Sequence, residues 1–252
     1  MLLPRIIPVL LVRDKGLVKT VKFKDAKYVG DPLNAVKIFN EKQVDELIII
    51  DIDATAKNLE PDYKLIESVA AECRMPLCYA GGIKTEEQAQ RILGLGVEKV
   101  ALSSALFDSP EMVKSLSGKV GAQSVVGVLD VKKSMFGKKY VCVTHNACNN
   151  RKIDLHDFIG QVSNLGIGEL LINSIDNDGM MKGYDLNLIS SVKKEVSIPL
   201  TVLGGAGSMA DIHSLVKMFP IIGAAAGSLF VFKGKYKAVL INYPNSNEKF
   251  EY

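Results

Sequence analysis

The 252-residue sequence predicts a single (β/α)8 barrel built from two half-barrels. Three observations predict it. In Ile198-Pro-Leu-Thr-Val-Leu-Gly-Gly-Ala-Gly207, a buried strand stops at a glycine pair before a helix that has Ser208 as its N-cap and Asp211 three residues on. The same arrangement occurs in Met75-Pro-Leu-Cys-Tyr-Ala-Gly-Gly-Ile-Lys-Thr85, with proline, glycine pair and cap all displaced by 123 residues. Finally, eight strand-like runs alternate with helical patterns, which implies a parallel sheet with right-handed crossovers.

The repeat extends in both directions. Glu46-Leu-Ile-Ile-Ile-Asp-Ile-Asp53 lies over Glu169-Leu-Leu-Ile-Asn-Ser-Ile-Asp176, Ala89, Ile92 and Leu93 over Ile212, Leu215 and Val216, and Phe107 over Phe230. Two equal halves of four βα units close most simply as a barrel; an open doubly wound sheet leaves the twofold repeat unexplained. The half-repeats run over about residues 1–120 and 121–232, and residues 233–252 form an atypical tail.

In chain order, Arg5 to Val12 reads as a buried first strand, and Arg13 to Gly30 as a long loop with five lysines, a candidate lid for an anionic ligand. Asp31-Pro32 starts a helix as N-cap and first residue. The next strands are Glu46–Ile52, Pro76–Ala80, Lys99–Leu102 and Gln123–Asp130. Lys132 to Arg151 reads as a β-excursion or insert and His156 to Leu165 as a helix. Glu169–Ile175, Pro199–Leu203 and Ile221–Ala226 complete the eight strands.

Composition narrows the function. With 48% hydrophobic residues the chain can bury a large core, and its net charge of +3 does not argue for nucleic acid. No apolar run is long enough for a membrane span, and Met-Leu-Leu-Pro-Arg lacks the apolar core of a signal peptide, so a cytoplasmic protein is expected. Cys73, Cys78, Cys142 and Cys148 form no Cys-x-x-Cys pair, and Cys142 sits in a strand-like run as a small hydrophobe. Neither a metal nor an organic cofactor is expected.

Chemistry on a (β/α)8 barrel sits at the carboxyl ends of the strands. The polar residues predicted there are Asp51, Asp53, Gly81, Gly82, Ser103, Ser104, Asp130, Asp176, Asp178, Gly205 and Ser228. Gly82 with Ser104, and Gly205 with Ser228, make two symmetric phosphate cradles, in which bare N–H groups at the helix starts would face the anion. A substrate with a phosphate at each end would span them. Asp130 and Asp178 lie between as acid–base candidates, and Asp176 fits a turn-capping role better. At the opposite strand ends Arg5, Glu46, Lys99 and Glu169 alternate in sign, so they could bridge across the barrel floor and plug it.

With these motifs the sequence resembles the cyclase subunit of imidazole glycerol phosphate synthase. The resemblance runs from Arg5 to about Phe232 through Arg5-Ile-Ile-Pro, Val18-Lys19, Gly30-Asp-Pro32, Asp45-Glu-Leu47, Ala80-Gly-Gly-Ile83, Ser174-Ile-Asp-Asn-Asp-Gly179, Gly183-Tyr-Asp185 and Gly204-Gly-Ala-Gly207. It implies a glutaminase subunit docked on the amino-terminal face and ammonia passing a gate at Arg5, Glu46, Lys99 and Glu169. It also implies a bisphosphorylated ribulosyl substrate held by Gly82, Ser103, Ser104, Gly179, Gly205, Gly227 and Ser228, and functional roles for Lys19 and Asp130. The family's other catalytic aspartate falls at Leu11. The internal repeat makes the same match, since Val9-Leu-Leu-Val-Arg13 lies over Val128-Leu-Asp-Val-Lys132. Leucine cannot carry a proton, and losing one of an acid–base pair typically costs ~10²–10⁴ in rate. The tail Lys233-Gly-Lys-Tyr-Lys-Ala-Val-Leu-Ile-Asn-Tyr-Pro244 reads as a strand or extended segment where the family has a helix. These departures resemble a side branch that, with a glutaminase and a sugar amidotransferase, installs an acetamidino group on surface-polysaccharide sugars. The sister barrel, an aldose–ketose isomerase, would also want an aspartate at position 11 and needs no gate.

Overall fold

The computed structural model describes residues 4–134 and 139–250. Eight parallel strands pair in chain order: Arg5–Arg13, Leu47–Asp51, Leu77–Ala80, Lys99–Leu102, Val125–Lys133, Glu169–Ser174, Leu200–Leu203 and Gly223–Ala226. The eighth pairs back on the first from Arg5↔Gly223 to Pro8↔Ala226, which closes the barrel. Alternation along the strands separates two cores. Ile7, Val9 and Leu11 point inward with Ile48, Ile50, Val128, Leu171 and Leu203. Ile6, Leu10 and Val12 point outward and pack under the helices.

Several strands are shorter than the sequence suggests. Pro76 and Pro199 stay outside because proline has no N–H for the ladder, yet their carbonyls accept from Leu47 and Leu170, each at 2.9 Å. The fifth strand starts later, after a short helical turn at Ala122–Ser124, and runs on to Lys133.

The repeat is written into the backbone. Asp31, Asp62 and Thr85 cap three helices of the first half by accepting from Asn34, Leu65 and Gln88. Asp154, Asp185 and Ser208, each 123 residues on, do the same for His156, Leu188 and Asp211. Gly81 and Gly204 both have positive φ, and a Cβ on either would sit 2.5 Å from a strand-end carbonyl, that of Asp51 or Ser174.

The segment expected as a loop differs from expectation. Arg13 to Gly30 is an antiparallel hairpin, Gly16–Val21 with Lys24–Gly30, laid on the first strand through Leu11↔Val18. Its turns, Asp14-Lys15 and Lys22-Phe23, place both residues at positive φ, the geometry of tight hairpin turns but without the usual glycine or asparagine. The lysines hid this alternation in the sequence. The β-excursion is likewise a hairpin, Tyr140–Thr144 with Asn149–Asp154, laid on the fifth strand through Asp130↔Val143. Residues 135–138 of the expected insert, like 1–3 and 251–252 at the termini, lie outside the described residues.

The tail forms a small strand pair, Phe232–Lys233 with Ala238–Val239, then an extended run, then a short helix, Ser246–Phe250. The Tyr243 hydroxyl donates to the Ile6 carbonyl at 2.8 Å and accepts from the Asp45 N–H at 3.3 Å. Lys249 pairs with Asp45 at 2.7 Å, and the Glu248 carbonyl meets His213 at 2.9 Å. No helix among the described residues is long and apolar enough to cross a membrane.

Candidate functional site at the two ends of the barrel

At the amino-terminal end, inward-pointing charges close a ring. Lys99 Nζ lies 2.8 Å from Glu46 and 2.9 Å from Glu169. Arg5 reaches Glu169 at 2.7 Å and also bonds Glu46. Thr201, which sequence reasoning missed, donates to Glu169 at 2.5 Å. Each carboxylate therefore bridges both cations. Burial works against the charges of Arg5 and Lys99, but the two glutamates outweigh it and hold both pKa values above the ordinary range. Burial pushes Glu169 up, and its bonds and charges with Arg5 and Lys99 pull it net below the carboxylate range. Arg5 is tied to both glutamates and to Thr201, whereas Lys99 holds only the two glutamates. Lys99 is thus the less restrained member.

Above the ring the barrel interior is apolar, and a cavity opens at the carboxyl ends of the strands. Leu11, Lys19, Gly82, Ser103, Ser104, Asp130, Asp178 and Gly227 all line it. Asn173 donates to Asp130 at 2.8 Å from the neighbouring strand. Burial pushes the Asp130 carboxyl up to about 6, the Asn173 bond opposes this, and the charge of Asp178 adds to it. The Asn173 side-chain oxygen and the Ser103 hydroxyl are buried with no partner among the described residues.

Lys19 and Asp178 form a buried pair at 2.7 Å. Asp178 also accepts from the Thr20 hydroxyl at 3.3 Å and the Phe23 N–H at 3.4 Å. Its carboxylate is therefore occupied in pinning the first hairpin over the mouth. The Lys19 side chain crosses Gly227, where any Cβ would collide with it at 2.8 Å. From the other side the second hairpin brings His145 and Asn146 into the cavity, and the Asn146 amide donates to the Ile52 carbonyl at 2.7 Å. Asp176, expected to cap its own turn, instead accepts from the Lys133 N–H at the end of the fifth strand at 2.7 Å.

The helix starts expected to be bare are partly filled. The N–H groups of Gly207 and Ser208 both donate to the Asp211 carboxylate at 2.9 Å. Those of Lys84 and Thr85 go to Gln88 at 2.8 and 3.2 Å. The capping-box pattern that marks these helices in the sequence is what consumes these donors. Two short helices, Ser104–Asp108 and Ser228–Val231, have no side-chain cap at Ser103 or Gly227. Free donors thus lie beside Ser104 and Ser228, one strand further round in each half.

The two cradles also differ in access. Gly82 lines the cavity, whereas Gly205, Gly179 and Ser228 lie outside its lining. Gly205 is covered by Gly183, whose N–H donates to its carbonyl at 2.9 Å, and Gly179 packs against Thr20 and Val21 of the first hairpin. The expected single opening spanning both cradles is therefore roofed over its second half.

A family model described as histidine biosynthesis protein matches residues 5–237. A Vibrio vulnificus protein provisionally named imidazole glycerol phosphate synthase subunit hisF3 is 62% identical over 249 residues, 99% of this chain and 96% of its own length. The chain belongs to the cyclase-subunit family of imidazole glycerol phosphate synthase. A Pseudomonas aeruginosa relative, provisionally named subunit hisF2, is 49% identical over 97% of both chains. The imidazole glycerol phosphate synthase subunit HisF of Natranaerobius thermophilus is 35% identical over 96% of both.

Among residues at the site, sequence reasoning missed Thr201, Asn173, His145 and Asn146. Alternation from Leu171 places Asn173 on the inner face, a signal that was available. Nothing local in the sequence shows the second hairpin reaching Ile52.

Proposed function

We propose that this barrel receives ammonia from a glutaminase docked on its amino-terminal face and delivers it to a phosphorylated sugar-type substrate at the mouth. We further propose that it is a specialised paralogue serving amidination of a surface-polysaccharide sugar with a sugar amidotransferase, not the imidazole-forming cyclisation. One observation carries this reading: the ionic ring is complete while Leu11 stands level with Asp130 in the other half. Delivery needs the ring; ring closure needs two proton carriers.

In this reading Arg5, Glu46, Lys99 and Glu169 form the gate. Swinging Lys99 aside would leave Arg5 holding both carboxylates. Asp130, with a pKa of about 6, accepts or returns a proton near neutral pH. Lys19 supplies positive charge at the mouth, and Asp178 positions it. Gly82, Ser103 and Ser104 hold one phosphate, and Gly179, Gly205, Gly227 and Ser228 the other once the first hairpin and the chain at Gly183 move aside. Two of the relatives carry numbered names that fit a paralogue, hisF3 at 62% and hisF2 at 49%; others at 53% and 51% carry the unnumbered name HisF, given provisionally.

The test pairs two assays. Mixed with its glutaminase, the barrel should stimulate glutamine hydrolysis. Given ammonium and the bisphosphorylated ribulosyl substrate, it should consume that substrate at least ~10²-fold more slowly than a cyclase with both aspartates. Consumption at the full cyclase rate would make it a histidine-pathway enzyme, and absence of stimulation would remove the conduit.

A further inference from the structure

Two lysine-rich stretches far apart in sequence are joined by the fold. Lys27 of the first hairpin donates to the Lys237 carbonyl at 2.9 Å and stands 5.1 Å from the centre of the Phe232 ring. Lys237 in turn reaches the Gly179 carbonyl at 3.3 Å, at the mouth end of the barrel. The joined hairpins expose Lys22, Lys24, Lys27, Lys233 and Lys235. None of the five has a carboxylate partner among the described residues. Even with Asp25 counted, these five carry more positive charge than the +3 of the entire chain, so the remainder of the molecule is slightly acidic.

Apolar surface accompanies the charge. Tyr236 is 89% exposed, Val239 43% and Leu240 44%, all on the tail, and Tyr28 on the hairpin is 65% exposed. A free phosphate gains nothing from exposed tyrosine and leucine. Membrane-lying segments are usually amphipathic helices with one continuous apolar face, whereas these are two short hairpins in which lysines flank each apolar residue. Tyrosine and aliphatic side chains beside mobile cations suit a protein interface, with aromatic anchors and a charged surround that steers the partner.

We propose that the joined hairpins are a docking surface for an acidic protein, at the end of the barrel opposite the ionic ring. The proposal rests on the functional reading above and deepens it: the docked protein is the enzyme that takes the nitrogen from the mouth or works on the same acceptor. The two ends of the barrel then serve two partners, one supplying ammonia and one consuming it.

The test replaces Tyr236 with the photo-crosslinker p-benzoylphenylalanine in the full chain, irradiates the native cells and identifies the adduct by mass spectrometry. The expected result is one protein joined through a peptide rich in Asp and Glu. Purified, that protein should bind the unmodified barrel, weaken by about tenfold or more between about 50 and 300 mM salt, and weaken similarly for Lys22→Glu/Lys24→Glu/Lys235→Glu. The milder Lys→Gln triple variant should fall between. No protein adduct, or an adduct to a peptide without acidic residues, overturns the proposal. So does lysine-dependent binding to phosphatidylglycerol vesicles or to a short DNA duplex in place of a protein. The triple variants should keep full glutaminase stimulation, because none of these lysines touches the ring. A barrel that crosslinks but never stimulates a glutaminase would sink the functional reading and leave the docking surface standing.

Discussion

The two halves of the barrel share a backbone and differ in chemistry at the same level of the mouth. In the second half Asp130 and Asn173 are register partners on adjacent strands, joined by a 2.8 Å hydrogen bond. In the first half the register partners at the matching positions are Leu11 and Ile50, both apolar. Each strand then feeds an antiparallel hairpin, through Leu11↔Val18 in one half and Asp130↔Val143 in the other. What repeats is what the backbone needs: N-caps, strand-end glycines and hairpin pairing. The side chains that project into the cavity are free of that need, and there the halves part.

The largest expected effect comes from copying one half onto the other. Leu11→Asp with Ile50→Asn reproduces the Asp130–Asn173 pair in the first half and should raise ammonium-dependent consumption of the ribulosyl substrate by ~10² or more. Leu11→Asp alone should do less and lower stability by about 1–3 kcal/mol, because its carboxylate would face Ile50 with no donor. Unchanged turnover in the double variant would show that the halves differ in more than this pair.

The floor, unlike the mouth, draws on both halves at once. Arg5→Met leaves Glu46 and Glu169 with one cation between them and should cost about 3–5 kcal/mol in urea unfolding. Lys99→Met should cost less, since Arg5 still holds both carboxylates. Equal losses would contradict the unequal tethering of the two cations.

The third comparison concerns pH. Asp130 has a pKa of about 6 in the fold against an ordinary 3.8. Between those values the folded protein keeps a proton that the unfolded chain has released, so stability falls as pH rises from about 4 to about 6 and then levels off. Asp130→Asn should remove that fall. It should be more stable than the parent at pH 7.5 by about 1–3 kcal/mol and nearly equal at pH 4, measured by thermal unfolding. Leu11→Asn, at the matching site, should show no such pH dependence.

The smallest effect tests the shared backbone. Thr85→Ala and Ser208→Ala remove equivalent caps and should each cost about 1 kcal/mol. A large inequality would mean that one half depends on its capping box more than the other.

Much of this architecture was legible in the sequence because it rests on local physics. Strand periodicity, glycines before helices and the displaced copy of each unit all leave marks in order along the chain. The ionic ring was legible too, since a charge at the start of a buried strand has few places to point. The cradles were only half legible. Glycine positions marked the strand ends, but the Asp211 and Gln88 side chains that occupy part of the helix starts act through capping geometry, and the uncapped helix starts lie one strand further round. The cover of the first hairpin over Gly179 depends on the Lys19–Asp178 pair, formed between residues 159 apart. No local pattern reports such a contact.

The Tyr243 hydroxyl clasps the first strand at Ile6 and the turn before the second at Asp45. The junction of the first two strands at the barrel floor is therefore fastened by a residue from near the far end of the chain. Clipping the polypeptide ahead of Tyr243 would free that junction directly beside Arg5 and Glu46, so the integrity of the plug depends on a tail that contributes no atom to it.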